Sequence, residues 1–192
     1  MGRPKEFDRQ EVLHRAVDTF WARGVEGTSV QMLVDSMGIH RASLYDTYGS
    51  KADLFKEAMD CYSSQTHDAF RQALDREGKS RDILRHFLRD SVHRLCTVQT
   101  QGCLMIKTVV SIADEVPGAH DRVVRHMEEI RGMLRDLLQR GKDAGEFAAE
   151  MNVDAVSHFL MTMFEGLVVG AAVQHDEGRH LGTVELALKA IA

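Results

Sequence analysis

Proline and cysteine are scarce in this chain of 192 residues: Pro4 and Pro117 are the only prolines, and Cys61, Cys96 and Cys103 the only cysteines. With so few helix breakers, long stretches are free to be helical. Three cysteines in no paired spacing are too few for a disulfide scaffold and suit a reducing, cytoplasmic compartment. The N-terminus is polar and charged, unlike a secretory signal. The most apolar stretch, Phe159 to Val173, is broken by Glu165 and reads as too short for a bilayer, so no membrane partner is expected. Enzyme motifs are missing as well: no Gly-x-Ser-x-Gly elbow, no His-Glu-x-x-His, no glycine-rich phosphate loop, no Cys-x-x-Cys. No catalytic residue, cofactor or metal is therefore expected. Ten histidines invite a metal site. His86, His93 and Cys96 share one helix face, but a site needs three or four converging ligands, and no other segment supplies the rest. A solvated histidine edge is the simpler reading.

What is present is amphipathic periodicity, and it points to an all-α fold of about nine helices. Asp8 caps the first, whose inner stripe is Leu13, Ala16, Val17 and Phe20. A long fourth helix runs from a Ser50 cap to about Glu77, turning Leu54, Phe55, Ala58, Met59, Tyr62, Ala69, Phe70 and Leu74 inward. The fifth spans Ser80 to about Val98, and the sixth Cys103 to about Asp114. The seventh opens at Pro117 and includes Val124 in its apolar stripe. The eighth covers Val153 to Gln174, and the ninth starts near Leu181. The net charge of −5 divides unevenly. Residues 1–51 hold seven basic and seven acidic side chains, and the remainder seventeen and twenty-two. An acidic body discourages non-specific contact with nucleic acid, while Arg3, Lys5, Arg41 and Lys51 can serve a local one.

Thr28 to Lys51 is the most informative stretch. Val30, Leu33, Val34 and Met37 form one apolar helix face. Thr28 reads as its cap, with Gln31 completing a capping box. Gly38 supplies a sharp turn. Ile39 and Leu44 then anchor a second short helix whose other face carries His40, Arg41, Ser43 and Asp46. One face that packs and one that can enter a major groove is the layout of a helix-turn-helix, although a plain helical hairpin shares the turn.

With its flanks, this stretch resembles the tetracycline-repressor (TetR) family of transcription regulators. Ala16, Phe20 and Gly24 match the family's first-helix pattern, and Thr28 and Ser29 its pair opening the second helix. Leu44, Tyr45, Tyr48, Lys51 and Leu54 match the end of its recognition helix. Two positions depart: Thr47 stands where the family has His, and His40 where it has a capping Ser or Thr. The resemblance covers about the first quarter of the chain and implies a DNA-binding domain over 1–50 and a ligand-binding and dimerisation domain over 51–192. It implies DNA contacts from Arg3, Lys5, Thr28, Ser29, His40, Arg41, Ala42, Ser43, Tyr45, Thr47, Tyr48 and Lys51. The expected function is a ligand-responsive repressor, a homodimer released from a palindromic double-stranded operator by a small-molecule effector. A helical small-molecule binder without operator binding is the alternative, supported by His40, Thr47 and the low basic charge.

Gly166 and Gly170, followed by Ala171 and Ala172, leave a shallow strip on the eighth helix where another helix can lie. Packing within the chain is an equal reading of that strip. The resemblance makes the last two helices the subunit interface, with Gly166, Gly170, Leu181, Val184 and Leu188 as its residues. Tyr62, Phe87, Cys103, Met105, Thr108, Phe159 and Met163 are candidate effector contacts, with Val109, Ile112 and Phe164 as further apolar lining. Cys103 stands where the sixth helix begins, with Lys107 one turn on. Gly102-Cys103-Leu104 resembles a subset of the family that includes regulators responding to electrophiles. Ordinary packing of a small buried thiol is the other reading.

Overall fold

The computed structural model describes residues 7–97, 102–111 and 116–191, less the side chains of Val110 and Ser111. Among them are nine α-helices and no strand: α1 (Arg9–Arg23), α2 (Val30–Met37), α3 (Arg41–Tyr48), α4 (Lys51–Leu74), α5 (Ser80–Thr97), α6 (Leu104–Ser111), α7 (Ala119–Asp143), α8 (Val153–Val173) and α9 (Glu177–Ala190). The expected ends of the fifth and sixth helices, Val98 and Asp114, lie outside the described residues, as do Arg3, Lys5 and Ile112.

The chain forms two compact units. The first joins Met1–Gln65 to Cys103–Val124, and the second joins Thr66–Gly102 to Arg125–Ala192. The divisions fall inside α4 and α7, so the first unit takes in α6 as well as the functional segment expected over 1–50.

In the first unit, Val12, Leu13, Ala16, Val17 and Phe20 are buried on one side of α1, as their spacing requires. The Phe20 ring meets Phe55 edge-on, with centroids 4.9 Å apart. Leu104 and Met105 of α6 and Ala119 and Val123 of α7 are buried too, whereas Val124 is exposed, against the expected stripe. In the second unit, α5 packs on α8 and α9. Its core includes Leu84, Leu88, Leu134, Leu138, Leu160, Val184 and Leu188. Phe87 lies edge-on to Phe70 and stacked on Phe164, with centroids 4.9 and 5.9 Å apart.

Several boundaries move for identifiable reasons. α4 ends at Leu74, three residues short of the expected Glu77, and Gly78 follows with φ 125°; Ala69, on the outer side, is exposed. Pro117 and Gly118 form a turn before α7 starts at Ala119. α9 starts at Glu177 rather than Leu181, because the Asp176 side chain accepts from the Arg179 amide and caps a first turn with no apolar residue. α8 is long and apolar enough by length and composition to cross a membrane, with a mean hydropathy of 1.6, which the shorter reading of 159–173 understated. Only a third of that apolar window is buried within the chain.

Candidate nucleic-acid interface

Ser29, not Thr28, caps α2: its hydroxyl accepts from the Met32 amide at 3.1 Å. Thr28 is fully buried and donates to the Gly24 carbonyl at 2.5 Å. It therefore presents no hydroxyl to a phosphate, which corrects its expected role. Gln31 does not close a capping box; it donates to Asp35. Gly38 ends α2 in the left-handed region, φ 67° and ψ 32°, and its amide donates to Val34. A side chain there would be strained, so the turn into α3 depends on glycine.

α3 is set by two side chains one turn apart. Leu44 and Tyr48 are buried, at 0% and 4% exposure, and fix the opposite side as the outer one. On it stand Arg41, Ala42, Tyr45 and Asp46, all exposed, with Ser43 and Thr47 half-buried at the edges. His40 occupies the N-cap and makes no capping bond, so its imidazole is exposed at the start of the helix. Lys51 opens α4 half-buried, and Ser50 caps that helix by accepting from the Asp53 amide. Asp53 also pairs with Lys56 at 2.7 Å; the bonds from Lys56 and Ser50 hold its carboxyl below the usual range.

Tyr48, expected at a phosphate, is instead buried. Its hydroxyl is aimed at the Arg9 carbonyl, 3.4 Å away, and the Arg9 guanidinium lies over its ring at 5.2 Å. Burial raises the phenol above its ordinary range, Arg9 working against the shift. Tyr48 thus seats α3 on α1 and is turned away from any phosphate. Arg9, also ion-paired with Glu57 at 2.5 Å, was missed in the sequence, because the two are 48 residues apart.

In the first unit, Tyr62 is half-buried with its ring edge-on to Trp21, and Cys103 is half-buried just before α6. Met105 is fully buried, and Thr108 is buried with its hydroxyl bonded to the Leu104 carbonyl. Val109 is exposed rather than lining a pocket. In the second unit, Phe87 and Met163 belong to the core and its margin. Phe159 is 46% exposed beside a shallow groove of about 440 Å³, lined with Met151, Ala155, Val156, Ala190 and Ile191, which removes it from the interior. A separate groove of about 240 Å³ lies beside Phe87, rimmed by Arg76, Lys79, Asp82, His86 and Arg94. Val184 and Leu188 are buried in the unit's own core and contribute no area to a partner. Leu181 packs partly on the same core. A Cβ on Gly170 would meet His180 at 3.1 Å, whereas one on Gly166 or Gly182 would meet open space. No cluster of three metal-binding side chains occurs among the described residues.

Two short helices joined by a left-handed glycine, the second buried on one face and polar on the other, define a helix-turn-helix nucleic-acid-binding head. Residues 12–58 match the family described as bacterial regulatory proteins, tetR family, and residues 78–183 the Tetracyclin repressor-like, C-terminal domain. Over the full length of both chains, the sequence is 34% identical to the HTH-type transcriptional regulator YezE of Bacillus subtilis (strain 168). It is 29% identical to the HTH-type transcriptional repressor ComR of Escherichia coli (strain K12), covering 88% of this chain and 82% of that one. Among solved structures it resembles a cysteine mutant of the TetR family transcriptional regulator CifR complexed with 26bp double-strand operator DNA. There the identity is 34% and the TM-score 0.87, over 98% of this chain and 99% of that one. The chain belongs to the TetR family and is a DNA-binding transcriptional regulator.

Proposed function

We propose that two copies of this chain form a two-fold dimer that represses transcription from a palindromic operator and releases it on binding a small molecule. The observation that carries the reading is the outer row Arg41, Ala42 and Tyr45 on α3, held outward by the burial of Leu44 and Tyr48. Arg41, Ala42 and Ser43 face base edges, Arg favouring guanine and the Ala methyl favouring thymine. Ser29, His40, Tyr45, Thr47 and Lys51 hold phosphates, with Arg3 and Lys5 adding basic charge to the same contact. The division of labour is a DNA-binding segment over 1–50 and a ligand-binding and dimerising one over 51–192.

The dimer face is the outer side of α8 and α9. Phe159, Val169, Val173 and Leu186 are exposed there, at 46%, 50%, 84% and 70%, and Gly166 and Gly182 leave room for a second backbone. A partner helix laid on that face would explain why an apolar α8 is so little buried within one chain. The effector acts at α6, where Met105 and Thr108 are buried and Cys103 is half-buried, and the half-buried Tyr62 of α4 is a further candidate contact. Phe87 and Met163 are candidate contacts in the second unit. The protein works in the cytoplasm without a cofactor or a catalytic step.

Light scattering combined with operator titration tests this reading. A dimer that binds a two-fold duplex, with half-sites roughly 34 Å apart, far more tightly than one half-site supports it. A monomer, or equal affinity for both duplexes, overturns it.

A further inference from the structure

Lys107 lies on α6, yet its ammonium donates a hydrogen bond at 3.0 Å to the carbonyl of Trp21, 86 residues earlier. Both belong to the first compact unit. Trp21 stands in the last turn of α1, where carbonyls lack intrahelical donors and the helix dipole is negative. A cation placed there is favoured twice, by the hydrogen bond and by the dipole. The Trp21 ring rests edge-on against Tyr62 of α4, with centroids 5.4 Å apart. The C-terminal end of α1 is thus gripped by one side chain from α6 and one from α4. Beyond it, α1 packs on α2, and α2 on the recognition helix α3.

We infer that Lys107 is a positioning residue that latches α6 to the end of α1 and so holds the head in its operator-binding arrangement. The inference rests on the reading that α3 binds an operator. Lys107 touches no DNA in this scheme. Its bond raises the fraction of molecules whose head is competent to bind, and observed affinity scales with that fraction. Anything that displaces α6 draws the ammonium from the Trp21 carbonyl and lowers the fraction. The latch therefore gives α6 a direct hold on the head, without routing the signal along the full length of α4.

The test is a fluorescence-anisotropy titration of the full-length protein with a palindromic duplex, repeated across salt concentrations, for the unmodified chain, Lys107→Met and Lys107→Arg. Lys107→Met should bind about tenfold more weakly, the size expected for losing one charge-assisted bond. Its salt slope should be unchanged, since no phosphate contact is lost. Lys107→Arg keeps the charge and reach and should restore most of the affinity. Should Lys107→Met not fold, Lys107→Gln, one atom too short to reach Trp21, takes its place. Equal affinity for Lys107→Met and the unmodified chain overturns the latch. So does a salt slope flattened by about one unit per half-site, which would make Lys107 a phosphate contact itself. A chain whose unmodified form binds no palindrome would instead refute the operator reading.

Discussion

The rings of His67 and His126 lie stacked, with centroids 4.8 Å apart and planes 20° from parallel, and both side chains are buried. His67 is on α4 and His126 on α7, at the start of the second compact unit on each helix. The Nδ1 of His67 lies 2.8 Å from the Glu129 carboxylate and its Nε2 lies 3.3 Å from the His126 carbonyl. Burial above all, and then the charge of a protonated His67, pull His126 down to about 4 from an ordinary 6.5. Two cationic rings in this contact are disfavoured.

Acid sensitivity follows from that stack. The folded state binds a proton at His126 more weakly than the unfolded state, so stability is present above pH 6.5 and is lost as pH falls toward 4. The full effect is on the order of 3 kcal/mol. Urea unfolding at pH 7.5 and at pH 4.5 should show this loss in the unmodified chain and a clearly smaller one in His126→Phe. An identical pH slope in the variant would contradict the assignment.

On the head, Arg41→Ala should cost about 1–3 kcal/mol of operator affinity and relax base preference at one position per half-site. Lys51→Ala should weaken all sequences alike and flatten the salt dependence by about one unit per half-site. Tight, sequence-specific binding that survives both changes would refute this placement of α3.

The two tyrosines of α3 should part company. Tyr45 is 43% exposed, so Tyr45→Phe should weaken operator binding by about 1 kcal/mol, the worth of one hydrogen bond. Tyr48→Phe removes only a hydroxyl aimed at the Arg9 carbonyl and should leave operator affinity unaltered. A larger loss from Tyr48→Phe than from Tyr45→Phe, in the same titration, would reverse the two roles.

Assembly is best probed where the fold itself does not depend on the residue. Leu186 is 70% exposed, so Leu186→Asp should leave the helices intact by circular dichroism while light scattering reports monomers. Gly170→Leu is a poorer probe, since its side chain would first meet His180 of its own chain. A Leu186→Asp protein that remains dimeric would remove α9 from the interface.

Among the thiols, burial pushes Cys61 up, and burial with the nearby Glu177 and Asp176 carboxylates pushes up Cys96. Cys103, which precedes α6, should be alkylated fastest of the three in the folded protein, as read by mass spectrometry. Equal rates would leave it an ordinary packed thiol.

Much of the head was legible in the sequence because its signals are local: a cap, a left-handed glycine and two apolar faces with helical spacing. Tyr48 shows what local spacing alone would have settled. It lies one turn from Leu44 and therefore shares its buried face, although the family motif pointed it at phosphate. Thr28 and Ser29 are equally able caps by type, and only the fold distinguishes the one that is buried. The first turn of α9 carried no apolar residue, so periodicity began four residues late. Val184 and Leu188 were rightly read as one apolar face, but whether it met its own chain or a partner depends on tertiary packing. The Arg9–Glu57, Lys107–Trp21 and His67–His126 contacts join residues far apart in the chain, and no spacing rule reaches them.

The central claim, that α3 reads a two-fold operator, is tested most directly by selecting random duplexes for binding to the full-length protein and sequencing those retained. The expected result is a palindrome with half-sites about one helical turn apart, in which Arg41→Ala alters one symmetric pair of positions. Recovery of no enriched sequence, or of one without two-fold symmetry, would contradict it.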